Sequence, residues 1–195
     1  LMAVLRPGAI GAAVLNDIGP VVEREGLSRI VAYVGRVPMP ANWNDAAETV
    51  REMSQRQFPA VPPEQWAEVA RAWFNDENGR PALCYLPRRA KPCRQTNAGI
   101  PELWPQFAAL SHVPMLAIRG EHSDILSAAT VDEMRHRHPR LETIEVPGQG
   151  HAPLLKDAPT IGAIADFLVR ADHSDRASAG RPEGAAMPAS VVVRF

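Results

Sequence analysis

Cysteine is scarce in this sequence. Cys84 and Cys93 are the two present, and they fit neither a C-x-x-C motif nor a disulfide framework. Reduced thiols in a cytoplasm are therefore the default expectation. Charge of either sign in excess is also missing: 21 Lys and Arg stand against 22 Asp and Glu, a formal net charge of −1. Such a balance gives neither nucleic acid nor an anionic membrane surface anything to attract. No apolar run approaches the roughly 20 residues needed to span a bilayer. No secretory signal is visible in the residues present. His136-x-His138 lacks a third ligand, so the sequence implies no metal, and nothing in it implies an organic cofactor.

What is there is ordinary globular material, with 46% hydrophobic and 22% charged residues. The length suits one domain, or a core with an insertion. Proline is plentiful at 19, which points to many loops and short helices.

Leu1–Leu5 reads as the last turn of a helix closed by Arg6-Pro7-Gly8. Ile10 to Leu15 is a nearly continuous apolar run, as expected of a strand buried on both faces, and Asn16-Asp17-Ile18-Gly19-Pro20 is the turn that leaves it. From Gly26 to about Ala109 the pattern turns helical, with no convincing strand. Leu27, Ile30, Val31 and Val34 recur at helical spacing before Gly35. Asn42 with Asp45 can cap a second helix, Pro63 opens a third through Trp66, Val69, Ala70 and Trp73, and a last short one spans Pro101 to Leu110. Asn75-Asp76-Glu77-Asn78-Gly79 reads as a turn, and Arg88, Arg89, Lys91 and Arg94 as a solvated loop.

Alternation then sets in: strand Pro114 to Arg119, helix Ala128 to Arg137, strand Leu141 to Val146, helix Thr160 to Val169. It implies parallel pairing with right-handed crossovers. Ser127 or Thr130 is placed to cap the first of these helices. Its end gathers Arg135, His136, Arg137 and His138, where positive charge complements the helix dipole. Beyond Arg170 the composition falls to Ala, Gly, Ser, Pro and Arg, and residues 171–195 are expected to be disordered.

The chemistry gathers around Val146-Pro147-Gly148-Gln149-Gly150-His151-Ala152-Pro153. A strand runs into a Pro-Gly-x-Gly turn, and the turn delivers one histidine, the side chain best suited to move protons near neutral pH. The preceding strand runs into Gly120-Glu121-His122-Ser123-Asp124. An acid follows one strand and a histidine the next, the acid-then-base order of a hydrolytic triad on a parallel sheet.

Three segments carry a resemblance: Val14-Leu15-Asn16-Asp17-Ile18-Gly19-Pro20, Arg119-Gly120-Glu121-His122-Ser123-Asp124 and Pro147-Gly148-Gln149-Gly150-His151-Ala152-Pro153. With them the chain resembles the C-terminal portion of a capped, esterase-like α/β-hydrolase-fold enzyme. The resemblance implies an α/β fold of about three parallel strands with flanking helices, residues 1–25 and 110–170 forming the partial core. It implies a helical cap at 26–109, inserted over the active site. It also implies His151 as the triad base, with Asp124 in the family's usual post-strand acid position and Asp17 in the position some relatives use instead. Trp43, Trp66, Trp73 and Trp104 all fall in the insertion. They serve first to pack a small helical layer, and some would also line an apolar substrate pocket.

One departure stands out: no G-x-S-x-G occurs, and neither Ser28, Ser54, Ser111, Ser123, Ser127 nor Ser174 sits in a strand-to-helix elbow. The oxyanion donors are missing with it. The first residue is Leu rather than Met, so the simplest expectation is a fragment lacking the N-terminal half of its fold. It would belong to a serine hydrolase of small carboxylic esters or lactones and be inactive alone, its first strand left uncovered. The alternative is a non-catalytic binding module that retains the cap and half the sheet.

Overall fold

Strand β1, Ile10–Asn16, is central to a four-stranded sheet with β4, Met115–Gly120, β5, Leu141–Val146, and β6, Ala189–Val193, in the order β5-β4-β1-β6. Every pairing in it is parallel. The chain is seen here as a computed structural model, which describes residues 9–33, 39–83, 100–179 and 189–193. The expected helix tail Leu1–Leu5, the stop at Gly35, both cysteines and the basic group Arg88, Arg89, Lys91 and Arg94 lie outside the described residues.

The apolar runs form strands because both faces of the sheet are covered. Ala13, Met115 and Ala117 face one layer with Phe107, Val113, Leu126, Val131 and Met134. Ala12, Val14, Leu116 and Ile118 face the other with Val146, Phe167 and Ala171. Period-two alternation sends successive residues of β1 and β4 to opposite layers, so neither strand can have a polar side. The layers are helical: α4, Trp104–Ala108, and α5, Ala128–Arg137, supply the first, and α6, Ala158–Ala179, supplies the second. Ser127 caps α5 by accepting the Thr130 N–H at 3.2 Å.

Within residues 171–179 and 189–193 the expectation of a disordered tail is corrected. Helix α6 continues to Ala179, Ala171 lies in the core at 5% exposure, and Ala189–Val193 pairs with β1 at Ala13↔Val191, Val14↔Val192 and Leu15↔Val193. The average composition of the tail concealed a short β-branched run, Val191-Val192-Val193, which suits a sheet edge. The β1 edge expected to be bare is therefore paired.

Arg24–Gly99 forms a second compact unit. It holds α1, Arg24–Tyr33, α2, Trp43–Ser54, a 3-10 turn at Pro63–Gln65 and α3, Trp66–Trp73. Asn42 caps α2 by accepting the N–H groups of Asn44 and Asp45. The helix-only expectation is corrected here: β2, Phe74–Glu77, and β3, Arg80–Leu83, form an antiparallel hairpin. Asn78 (φ 56°) and Gly79 (φ 81°) are both left-handed, the turn that matches the twist of a two-residue hairpin. The Asn-Gly pair was the available signal. Residues 100–109 belong with the sheet unit instead, because Phe107 is buried in its core.

His138 departs from its expected role as a charge at the end of α5. Its ring is 2% exposed, places Nε2 3.0 Å from the Leu110 carbonyl, and accepts the Arg140 N–H at Nδ1. Burial, foremost, holds its pKa below the ordinary imidazole value. The unfolded imidazole titrates at about 6.5, so just below that pH the unfolded chain binds more protons and acid favours unfolding. This contribution to stability is complete above about 6.5 and is lost as the pH falls through the folded value. In His138→Gln the fall of Tm on acidification should be shallower than in the parent chain, as measured by circular dichroism melts. Equal slopes would contradict a neutral buried ring.

Candidate active site

The register of the sheet decides what meets at its carboxyl edge. Asn16 lies beside Ile118 and Gly120 beside Val146, so the turns leaving β1, β4 and β5 converge there. Asp17 is the first residue past β1. It is fully buried, and its backbone is left-handed at φ 58°. Aspartate tolerates this region better than most residues, but holding it there still costs about 1–3 kcal/mol. The conformation presents the carboxylate to the next two turns. Oδ1 accepts the Gly120 N–H at 2.9 Å, and Oδ2 accepts the Ser123 hydroxyl at 2.7 Å. The same Oδ2 lies 2.9 Å from His151 Nδ1.

A carboxylate is an acceptor only, so Nδ1 is the donor of this contact, and Nε2 is the nitrogen left to accept a proton. Among the described residues Nε2 makes no hydrogen bond. The His151 side chain is 9% exposed, on a loop tied down residue by residue. Gly148 N–H donates to Glu121 Oε2 at 2.7 Å, His122 N–H to the Gln149 carbonyl at 2.9 Å, and Leu154 N–H to Gln149 Oε1 at 2.8 Å. Asn16 Nδ2 reaches the Pro153 carbonyl at 3.2 Å. The arrangement sets an imidazole against a buried carboxylate in a braced frame, a geometry through which a proton can be passed.

The carboxylate at hydrogen-bond distance from His151 Nδ1 is that of Asp17, the alternative acid to Asp124. Asp124 is half-buried in the bend before α5. In that bend the Ser123 hydroxyl is what reaches Asp17, while the left-handed turn brings the Asp17 carboxylate up to the histidine loop. Sequence spacing sees the distance along the chain from an acid to a histidine. It does not see the β1–β4 pairing that brings Asp17 and His151 together.

No protein-family model matches the sequence. A 3-hydroxybutyrate-oligomer hydrolase of Cupriavidus necator is 32% identical over 181 residues, which are 87% of this chain and 60% of that protein. An alpha/beta hydrolase from Novosphingobium aromaticivorans is 38% identical, with a TM-score of 0.73 over 87% of this chain and 60% of that one. A putative hydrolase from Rickettsia typhi, 22% identical, superposes with a TM-score of 0.69 over 87% of this chain and 57% of that one. The chain has the α/β-hydrolase fold. It spans about 60% of the length of the first two relatives.

Within this hydrolase fold the four tryptophans divide. Trp66 is buried in the second unit, Trp73 is 36% exposed, and the Trp43 ring lies under the Arg71 guanidinium at 4.4 Å. Trp104, expected in the insertion, instead belongs to the sheet unit. It packs edge-on against Phe107 at 5.9 Å beneath the Arg137 guanidinium. Among the described residues no cluster of three metal-ligating side chains occurs, and no helix is long and apolar enough to cross a membrane.

Gly120 and Asn16 were not singled out by sequence reasoning. A Cβ on Gly120 would lie 2.5 Å from the Gln149 carbonyl oxygen and 2.6 Å from that of Gly150. Both are backbone atoms of the histidine loop, so Gly120→Ala must push that loop away. The expected loss is about 1–3 kcal/mol or more, the scale of an overpacked site, as read by urea denaturation. Gly162, within α6, has nothing within 4 Å of its Cβ position. Gly162→Ala should therefore hold stability or raise it by about 0.4–1 kcal/mol. Equal effects at the two glycines would refute the close approach.

Proposed function

We propose that this chain supplies the base and the acid, His151 and Asp17, of a serine-hydrolase triad acting on carboxylic esters. The observation that carries the reading is the 2.9 Å contact between His151 Nδ1 and the buried Asp17 Oδ2 at the carboxyl edge of a parallel sheet. In this role Nε2 takes the proton of a nucleophilic hydroxyl as it attacks the acyl carbon, then returns it to the departing alcohol. Asp17 fixes the tautomer and stabilises the imidazolium that forms between the two transfers. The nucleophile and the oxyanion donors come from outside the sequence given, since it contains no G-x-S-x-G.

The substrate class we propose is a short ester or lactone of a hydroxy acid. The named activity of the Cupriavidus necator relative, hydrolysis of 3-hydroxybutyrate oligomers, lends this support. Such oligomers are aliphatic esters that need no metal-assisted activation, and Ser-His-Asp chemistry suffices for them.

The test is p-nitrophenyl butyrate and 3-hydroxybutyrate-dimer hydrolysis by two proteins, the chain as given and a polypeptide extended upstream through a G-x-S-x-G. The chain as given should show no turnover, because loss of the nucleophile alone costs about 10⁶ in kcat in a serine enzyme. In the extended protein, Asp17→Asn should lower kcat by about 10⁴, the cost of an amide in the orienting position of a serine-protease triad. Asp124→Asn should cost far less. Turnover by the short chain that survives His151→Ala, or a larger loss from Asp124→Asn, would overturn the assignment.

A further inference from the structure

We propose that Ser123 is a positioning residue for the Asp17–His151 pair, its hydroxyl locking the carboxylate in the rotamer that receives the imidazole proton. The inference rests on reading that pair as the acid and base of the site.

Ser123 has no free choice of orientation. Its Oγ accepts the backbone N–H groups of Ile125 at 3.2 Å and Leu126 at 3.0 Å. With those two donors on its lone pairs, the one remaining direction for the hydroxyl proton is Asp17 Oδ2, 2.7 Å away. The contact joins residues 106 positions apart in the chain, so it is a product of the fold and not of a local turn. It lands on the oxygen that also faces His151. Gly120 N–H holds the other oxygen. A carboxylate gripped at both oxygens cannot rotate about χ2, and rotation is what would carry Oδ2 away from Nδ1. Backbone N–H groups alone would hold Oδ1 and leave Oδ2 tethered only by the group it is meant to orient.

Ser123 is also a poor candidate for a nucleophile. Its proton goes to the acid and not to the base, and its lone pairs are occupied by backbone donors. The serine that the notion of a triad first draws attention to therefore serves the carboxylate.

The experiment uses the chain as given, with ¹⁵N-labelled histidine, about two pH units above the ordinary imidazole value of about 6.5. The His151 resonances, assigned by their loss in His151→Gln, report the tautomer and the solvent exchange of the Nδ1 proton. The parent chain and Ser123→Thr should both show a single Nδ1–H tautomer with a protected proton. Ser123→Ala should show a mixture of tautomers and exchange at least tenfold faster, with the circular dichroism spectrum of the parent. If Ser123→Ala does not fold, Ser123→Cys, similar in shape with a weak donor, should show the same mixture. A parent-like tautomer and exchange rate in the folded Ala or Cys variant, with both altered in Asp17→Asn, would overturn the role of Ser123 and leave the pair standing. Failure of Ser123→Thr to restore the parent signature would also overturn it. An unchanged signature in Asp17→Asn would remove the acid–base reading itself, and the role of Ser123 with it.

Discussion

Burying an ionised carboxylate is among the most costly acts in folding, and it is tolerated only where donors replace the water that is lost. Asp17 is fully buried, and its donors come from three places: the Gly120 backbone, the Ser123 hydroxyl and the His151 ring. Two of them come from the end of β4 and the turn after it and the third from the β5 turn, so the carboxylate is satisfied only when β1, β4 and the β5 turn are all in place. A slip of one residue between β1 and β4 would send Asp17 to the wrong side of the sheet and strand its charge. The site and the fold therefore share one constraint. The same interaction that orients the His151 ring penalises every misregistered sheet.

That constraint is held from below by packing. The two apolar layers meet β1 and β4 on opposite faces, and Leu116, Ile118, Met115 and Val14 are all but inaccessible. Interiors packed this tightly have low compressibility, so the strand ends keep a fixed relative placement. Above the sheet the turns brace each other by polar contacts. Arg119 donates from Nε to the Leu126 carbonyl and from Nη2 to that of Glu121, and it pairs with Glu145 on β5. The ion pair is open to solvent on the Glu145 side and adds little to stability. Its use is to join two turns and a strand at the edge where the chemistry sits.

Among the described residues, left-handed backbone outside a hairpin turn gathers at the same edge. Asp17 at φ 58° and Leu155 at φ 53° are left-handed without being glycine, and they flank the acid and the histidine loop. Asn78, the remaining such residue among those described, belongs to a hairpin turn that asks for this conformation. Backbone held in sparsely populated regions persists where the surroundings over-determine it, and here the surroundings are the carboxylate's own donors.

Much was legible from residues 1–195 alone. The apolar runs Ile10 to Leu15, Pro114 to Arg119 and Leu141 to Val146 announce buried parallel strands. Their pattern is local, and in the first two burial on both faces leaves little polar alternation to confuse it, while the third keeps Glu142 and Glu145 exposed at the sheet edge. His151 was visible because a Pro-Gly-x-Gly turn after a strand is a local signature too. The hairpin turn at Asn78-Gly79 is written there too, but its flanking residues are mostly polar and carry no strand alternation. What sequence could not decide was the partner of His151. Asp17 and Asp124 each follow a strand, and the choice depends on the β1–β4 register, on a left-handed turn at Asp17 and on Ser123 facing the carboxylate. The strand at Ala189–Val193 was hidden for the same reason, since β1 recruits it across nearly the whole chain. Periodicity and turn chemistry act over a few residues and can be read in order. Pairing between distant strands is settled by the free energy of the assembled sheet, and only the tertiary structure states the result.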